Sequence, residues 1–182
     1  MAESRIVKSD FRALNKFVQG LTGPKFVVKV GILGNKTARH KDELTNAELG
    51  LIHEFGAGRI PPRSFLRLPL FLKSREIIAE ASEGFFKFLW KGDMKPVLAQ
   101  LGVACENAIQ DAFGSMGFGQ WPQNAYSTIL RKLKKARKNV WQRKQLAAEV
   151  LSGGATHTMP LIDSGQLRRS ISSKVERASD VS

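Results

Sequence analysis

The chain has 182 residues, 42% of them hydrophobic and 25% charged, which is enough for one domain with a real core and excludes wholesale disorder. Lys and Arg number 29 against 16 Asp and Glu, a net charge of +13, and such an excess calls for an acidic partner: nucleic acid, an acidic protein surface or anionic lipid. No apolar run approaches the roughly 18 residues of a membrane span. Met1 to Arg5 have no apolar signal core behind them, and the lone Cys105 excludes an internal disulfide, so the chain reads as a soluble protein made in a cytosol.

Ser9 is placed to cap a first helix. Phe11, Leu14, Phe17, Val18 and Leu21 recur there at helical spacing until Gly23-Pro24 stops it. Lys25–Leu33 reads as a strand, because Phe26, Val28, Val30 and Ile32 share one face at period two. Gly34–Asp42 is polar and basic, an exposed loop or hairpin tip. Thr45 and Glu48 form a capping box before a short helix that carries Leu49, Ile52 and Phe55 inward and ends at Gly56. Pro61-Pro62 then makes a stiff, extended elbow.

Ser64 is placed to cap the next helix, which either starts or kinks at Pro69. Its apolar stripe is Leu70, Ile77, Ile78, Ala81, Phe85 and Leu89, and Gly92 ends it. Asp93 opens the clearest helix, with Val97, Leu98, Leu101, Ala104, Cys105, Ala108, Ile109, Ala112 and Phe113 on one face. Gly114, Gly117 and Gly119 break it. Ser152-Gly153-Gly154 is another break, Ser164 can cap a short helix through Leu167, and Ile171–Glu176 is a second strand. The class is α+β: one domain over 1–182, a small antiparallel sheet packed with several helices, and a basic helical insertion or arm over 115–160. A lone strand pair is marginal, so a third strand lies in Gly34–Leu44 or a neighbouring subunit completes the sheet.

The basic excess is concentrated. Residues 112 to 148 contain no Asp or Glu, but do contain Arg131, Lys132, Lys134, Lys135, Arg137, Lys138, Arg143 and Lys144. This block is either a solvated face or an arm that grips phosphates or an acidic neighbour. Ile129, Leu133 and Val140 give it thin apolar support. Its aromatics (Trp121, Tyr126 and Trp141) are too sparse for ordered base stacking, so any DNA contact would be to the backbone.

Catalytic and metal-binding patterns are not evident. His40, His53 and His157 are isolated, and His53-Glu54 lacks the second histidine of the helical zinc motif. Cys105 lies in an apolar stripe as a small core residue. The glycines after residue 113 neither follow a strand nor end in Gly-Lys-Ser/Thr, so a hinge is favoured over a phosphate loop. No catalytic residue, metal ligand or cofactor is assigned, and the chain reads as a non-enzyme.

Two segments carry a resemblance. One is Ala47-Glu48-Leu49-Gly50-Leu51-Ile52-His53-Glu54-Phe55-Gly56, running on through Ile60-Pro61-Pro62-Arg63-Ser64-Phe65-Leu66-Arg67; the other is Pro160-Leu161-Ile162-Asp163-Ser164-Gly165-Gln166-Leu167-Arg168-Arg169-Ser170-Ile171. In order, with Trp121-Pro122 between them, they resemble the phage virion-morphogenesis and tail-completion (neck, head–tail joining) families. The stretch between Trp121 and Pro160 is expanded relative to that pattern.

The resemblance implies a small α+β virion subunit without a cofactor. It implies self-assembly as a six- or twelve-fold ring at the neck or tail end, between a portal-side neck protein and a tail tube or terminator protein. Contact with packaged DNA would be non-specific, and no membrane is involved. Candidate subunit-interface residues are His53, Glu54, Phe55, Pro61, Pro62, Arg63, Phe65, Arg67, Arg168 and Arg169. The eight cations from Arg131 to Lys144 are candidates for an acidic partner or the DNA backbone. The alternative reading is a basic nucleic-acid-binding protein acting through phosphate contacts.

Overall fold

Two strands and one long helix form the centre of the molecule. The computed structural model of the chain describes residues 12, 14–19, 22–23, 25–33, 44–135, 139–151, 159–162 and 165–180. The fold is α+β. Strands β1 (Phe26–Ile32) and β2 (Ile171–Arg177) pair antiparallel, in register from Phe26 opposite Arg177 to Ile32 opposite Ile171. Val30 and Ile32 join the core on one face. On the other, Glu176 bridges Lys29 at 2.7 Å and Lys174 at 2.8 Å. One apolar and one charged face is what an antiparallel pair covered on a single side requires.

Helix α5 (Lys95–Gly114) covers the apolar face, and the sheet rests on it. The Asp93 carboxylate accepts from the Lys95 amide at 3.1 Å. The stripe expected from the sequence is buried at Val97, Ala104, Ala108, Ile109, Ala112 and Phe113. Gly102 allows the close approach, since a Cβ there would stand 2.5 Å from the Ser173 hydroxyl oxygen.

Helix α1 (Asn46–Phe55) begins with the expected capping box of Thr45 and Glu48. Its inward face differs from expectation. Asn46, Gly50 and Glu54 are buried, four residues apart, and Phe55 is 57% exposed. One residue is about 100° of helix, so pointing Glu54 inward turns Phe55 out. The single helix expected beyond Ser64 is divided into α2 (Arg67–Leu72), α3 (Ser74–Ser82) and α4 (Phe85–Lys91). Breaks fall at Lys73 and at Glu83-Gly84. Pro69 sits in the first turn of α2, where a missing amide costs least. Ile77 and Ala81 pack toward Ala104 and Ala108 of α5, whereas Ile78, expected inside, is 63% exposed.

The main core joins Phe65, Ile109, Ala112, Phe113, Trp121, Leu167 and Ile171. Burying each large apolar side chain contributes about 1.5–3 kcal/mol. Phe113 meets Phe65 at 5.5 Å between ring centroids and Trp121 edge-on at 5.7 Å.

The basic insertion is a helical hairpin, α6 (Tyr126–Lys135) and α7 (Val140–Leu151). It has its own small core of Ile129, Leu133 and Ala147, flanked by Leu130 and Leu146. Val140, expected as support, is 60% exposed, and Ala147 takes the inward place. The last helix, α8 (Gln166–Arg169), leads into β2. Ser9, the third-strand segment 34–43 and Ser164 lie outside the described residues.

Gly117 sets the Trp121 packing. Its φ is 66°, and an added Cβ would lie 2.2 Å from the indole. Gly117→Ala is expected to lower stability by about 1–3 kcal/mol, the range for an overpacked core. Denaturant midpoints check this, and an unchanged midpoint would refute the packing.

Candidate functional site

The first of the two segments folds around one buried carboxylate. Glu54, at the end of α1, accepts five hydrogen bonds at the start of α2. They come from the Ser64 hydroxyl (2.6 Å), the backbone amides of Phe65 (2.8 Å), Leu66 (2.9 Å) and Arg67 (3.2 Å), and the Arg67 Nε (3.0 Å). Helix N-termini leave amides without intrahelical partners and favour a negative charge. Glu54 answers both requirements from a distant helix. The Ser64 hydroxyl oxygen also accepts from the Leu68 amide at 3.1 Å, although the N-cap position of α2 is Leu66 and not Ser64 as expected. Burial pushes the Glu54 carboxyl up, but the bonds from Ser64, Leu66 and Arg67 outweigh this and hold it below its ordinary value.

Arg63 is the second anchor. Its backbone amide donates to the His53 carbonyl at 2.7 Å. Its guanidinium donates from Nε to the Pro122 carbonyl and from Nη2 to the Gln123 carbonyl, both at 2.9 Å. The Trp121 indole N–H donates to the Ser64 carbonyl at 3.2 Å. The first block and the Trp-Pro segment are thus pinned together from both sides. A cleft of about 240 Å³ opens beside them. His53 and Arg63 line it from the first block, Asn124 from beyond Trp-Pro, Arg131 and Lys132 from α6, and Leu161 and Gln166 from the second block. Asn124, Thr128 and Gln166 were not singled out from the sequence, because they carry no periodic or motif signal that a surface polar residue lacks.

Three of the candidate interface residues, Glu54, Arg63 and Phe65, are buried inside the chain and form part of its framework. The remaining candidates divide. Phe55, Pro61, Pro62 and Arg67 lie on the exterior, with the Arg67 guanidinium 4.4 Å from the Phe55 ring centroid. His53 is half-buried in the cleft. Arg168 is half-buried and exchanges hydrogen bonds with Gln110 of α5, while Arg169 is exposed. The elbow is also more closed than expected. Ala57 and Ile60 bond each other through both amides (3.1 and 2.9 Å), folding the segment into a tight turn. The angle between α1 and α2 therefore depends on Glu54 and this turn as well as on the prolines.

The basic residues also separate. Lys132 is half-buried and acts as a tether, its ammonium donating to the carbonyls of Met159 (2.7 Å) and Ile162 (2.6 Å). Arg143 is half-buried and donates to the Asn139 carbonyl at 3.3 Å. Arg131, Lys134 and Lys144 are exposed. Arg137, Lys138 and the Lys135 side chain lie outside the described residues, as do His40 and His157. Burial, with Glu106 nearby, raises the Cys105 thiol above its ordinary value, which keeps it protonated. Among the described residues, no three His, Cys, Asp or Glu side chains gather to hold a metal, and no helix is long and apolar enough to cross a membrane. Comparison of the chain with protein-family models, with curated proteins and with solved structures found no match.

Removing the Glu54 carboxylate would leave buried donors without an acceptor. Glu54→Ala is expected to cost about 3–5 kcal/mol, the range for breaking a buried charged contact. Glu54→Gln keeps one acceptor oxygen and is expected to cost less. The depressed carboxyl also fixes the sign of a pH effect. Its contribution is whole above the ordinary value of 4.5 and is lost as pH falls through the folded-state value. Thermal melts from pH 7 to pH 3 should show an acid loss in the native protein that is smaller in Glu54→Gln. Equal acid losses in the two proteins would refute the assignment.

Proposed function

We propose that the chain is a structural, non-enzymatic subunit of a tailed-phage particle, a neck or tail-completion protein that joins head and tail as a ring. The observation that carries this reading is the convergence of three separated blocks on one framework. Glu54 organises the start of α2, Arg63 binds the Trp121-Pro122 segment, and the second block closes the same cleft. Motifs far apart in sequence but joined in space are what a shared fold requires. The chemistry is that of a scaffold, because the Glu54 oxygens and the Arg63 Nε and Nη2 face the protein's own groups. A catalytic carboxylate or guanidinium must turn those atoms toward a substrate.

The partners this reading implies are other copies of the chain in a six- or twelve-fold ring, a portal-side neck protein, and a tail tube or terminator protein. The exposed Arg131, Lys134 and Lys144 support an alternative, a basic protein binding nucleic acid through phosphates. Two measurements separate the readings. Sedimentation of the full chain is expected to give a closed oligomer, and labelling of particles is expected to locate the chain at the head–tail junction. A strict monomer absent from particles, with DNA affinity falling steeply as salt rises, would replace the proposal with the alternative.

A further inference from the structure

We infer that the α6–α7 hairpin docks on the outer face of α3 in a second copy of this chain. The inference rests on the ring reading above and names the two surfaces that meet. The hairpin buries Ile129, Leu133 and Ala147 against itself. Exposed on it are the cations Arg131 and Lys134 of α6 and Lys144 of α7, and two apolar side chains of α7, Val140 at 60% and Trp141 at 67% exposure. On α7, Val140, Trp141 and Lys144 share one stripe, being three and four residues apart. A partner that satisfies this stripe must offer carboxylates and apolar surface together.

The chain offers such a surface on α3 and the adjoining end of α2. Glu76 and Glu80 are exposed four residues apart on α3, and Glu83 is exposed in the turn that ends it. Glu76 pairs with Lys73 at 2.6 Å, while Glu80 and Glu83 make no ion pair among the described residues. Phe71 near the end of α2 and Ile78 on α3 stand 77% and 63% exposed. The inward residues Ile77 and Ala81 are already taken up by α5. Charge and apolar character on α3 therefore complement those on the hairpin. A DNA backbone would match the cations but offers no apolar counterpart for Val140, so a protein partner is favoured. The two patches are different parts of one chain. Pairing one with the other in the next copy leaves one free patch at each end, and such a head-to-tail contact closes into a ring or continues as a filament.

The test uses the full chain and charge reversal with rescue. Lys134→Glu with Lys144→Glu is expected to weaken self-association about tenfold or more, as like charges brought together do. Glu80→Lys with Glu83→Lys is expected to do the same. These positions are exposed, so folding is checked by circular dichroism, and combining all four changes should restore association. A cross-link gives a second reading that does not depend on the charges. In a Cys105→Ala background, Trp141→Cys chains mixed with Ile78→Cys chains should form a disulfide-linked dimer, and neither alone should match that yield. Self-association that ignores both charge reversals and yields no mixed cross-link would overturn the docking and leave the ring standing. A monomer at every concentration would overturn both. Unchanged association with lost DNA retention in the Lys134/Lys144 variant would assign the hairpin to nucleic acid.

Discussion

The Glu54 carboxylate sits where the last turn of α1 meets the first turn of α2, and much of the remaining structure follows from keeping it there. An ionised carboxylate inside a protein is costly unless its lone pairs are filled. Here a hydroxyl, three amides and a guanidinium fill them. The arrangement fixes the direction in which the chain enters α2, which drives Phe65 into the core against Phe113. It also turns Phe55 outward beneath Arg67. From the same segment, Arg63 reaches the Pro122 and Gln123 carbonyls and so holds Trp121 over Gly117. One buried charge thus orders two helices, a loop and an aromatic cluster.

The hairpin is built on a different principle. Its apolar side is narrow, and it makes a core separate from the main one. It is joined to the body through Lys132, whose ammonium takes two carbonyls from the chain that leads back to α8 and β2. A lysine suits this task, since its compact head donates in several directions at once. Arg131, Lys134 and Lys144 remain outward. The separation explains how the protein carries a strongly basic appendage without placing like charges against its framework.

Framework and contact surface are consequently made of different residues within the same motifs. In the first block, Glu54, Arg63 and Phe65 face inward and Phe55, Pro61, Pro62 and Arg67 face outward. A substitution at the first group acts through stability. In the second group, Phe55, Pro61 and Pro62 present their side chains to solvent, while Arg67 also donates to Glu54. The distinction matters for reading any mutant of this chain, because neighbouring residues of one motif affect different measurements.

Periodicity and capping made several elements legible from the sequence. The alternation of Val28, Val30 and Ile32, the Thr45–Glu48 box and the long stripe from Val97 to Phe113 each correspond to an element of the structure. These are local signals, set by side chains two to four residues apart. The division of the helix after Ser64 was less legible, because its apolar stripe continues past Lys73 and Gly84 and only packing against α5 shows that Ile77 and Ala81, and not Ile78, point inward. The roles of Glu54, Arg63 and Lys132 were not legible at all. Each is a charged residue that composition assigns to the surface, and each is satisfied by groups 10 or more residues away. The sequence by itself determined the two strands, the main helix, the Thr45–Glu48 cap and the location of the basic arm. Only the tertiary structure decided which charges became internal supports, because a buried charge is tolerated through partners that no local spacing reveals.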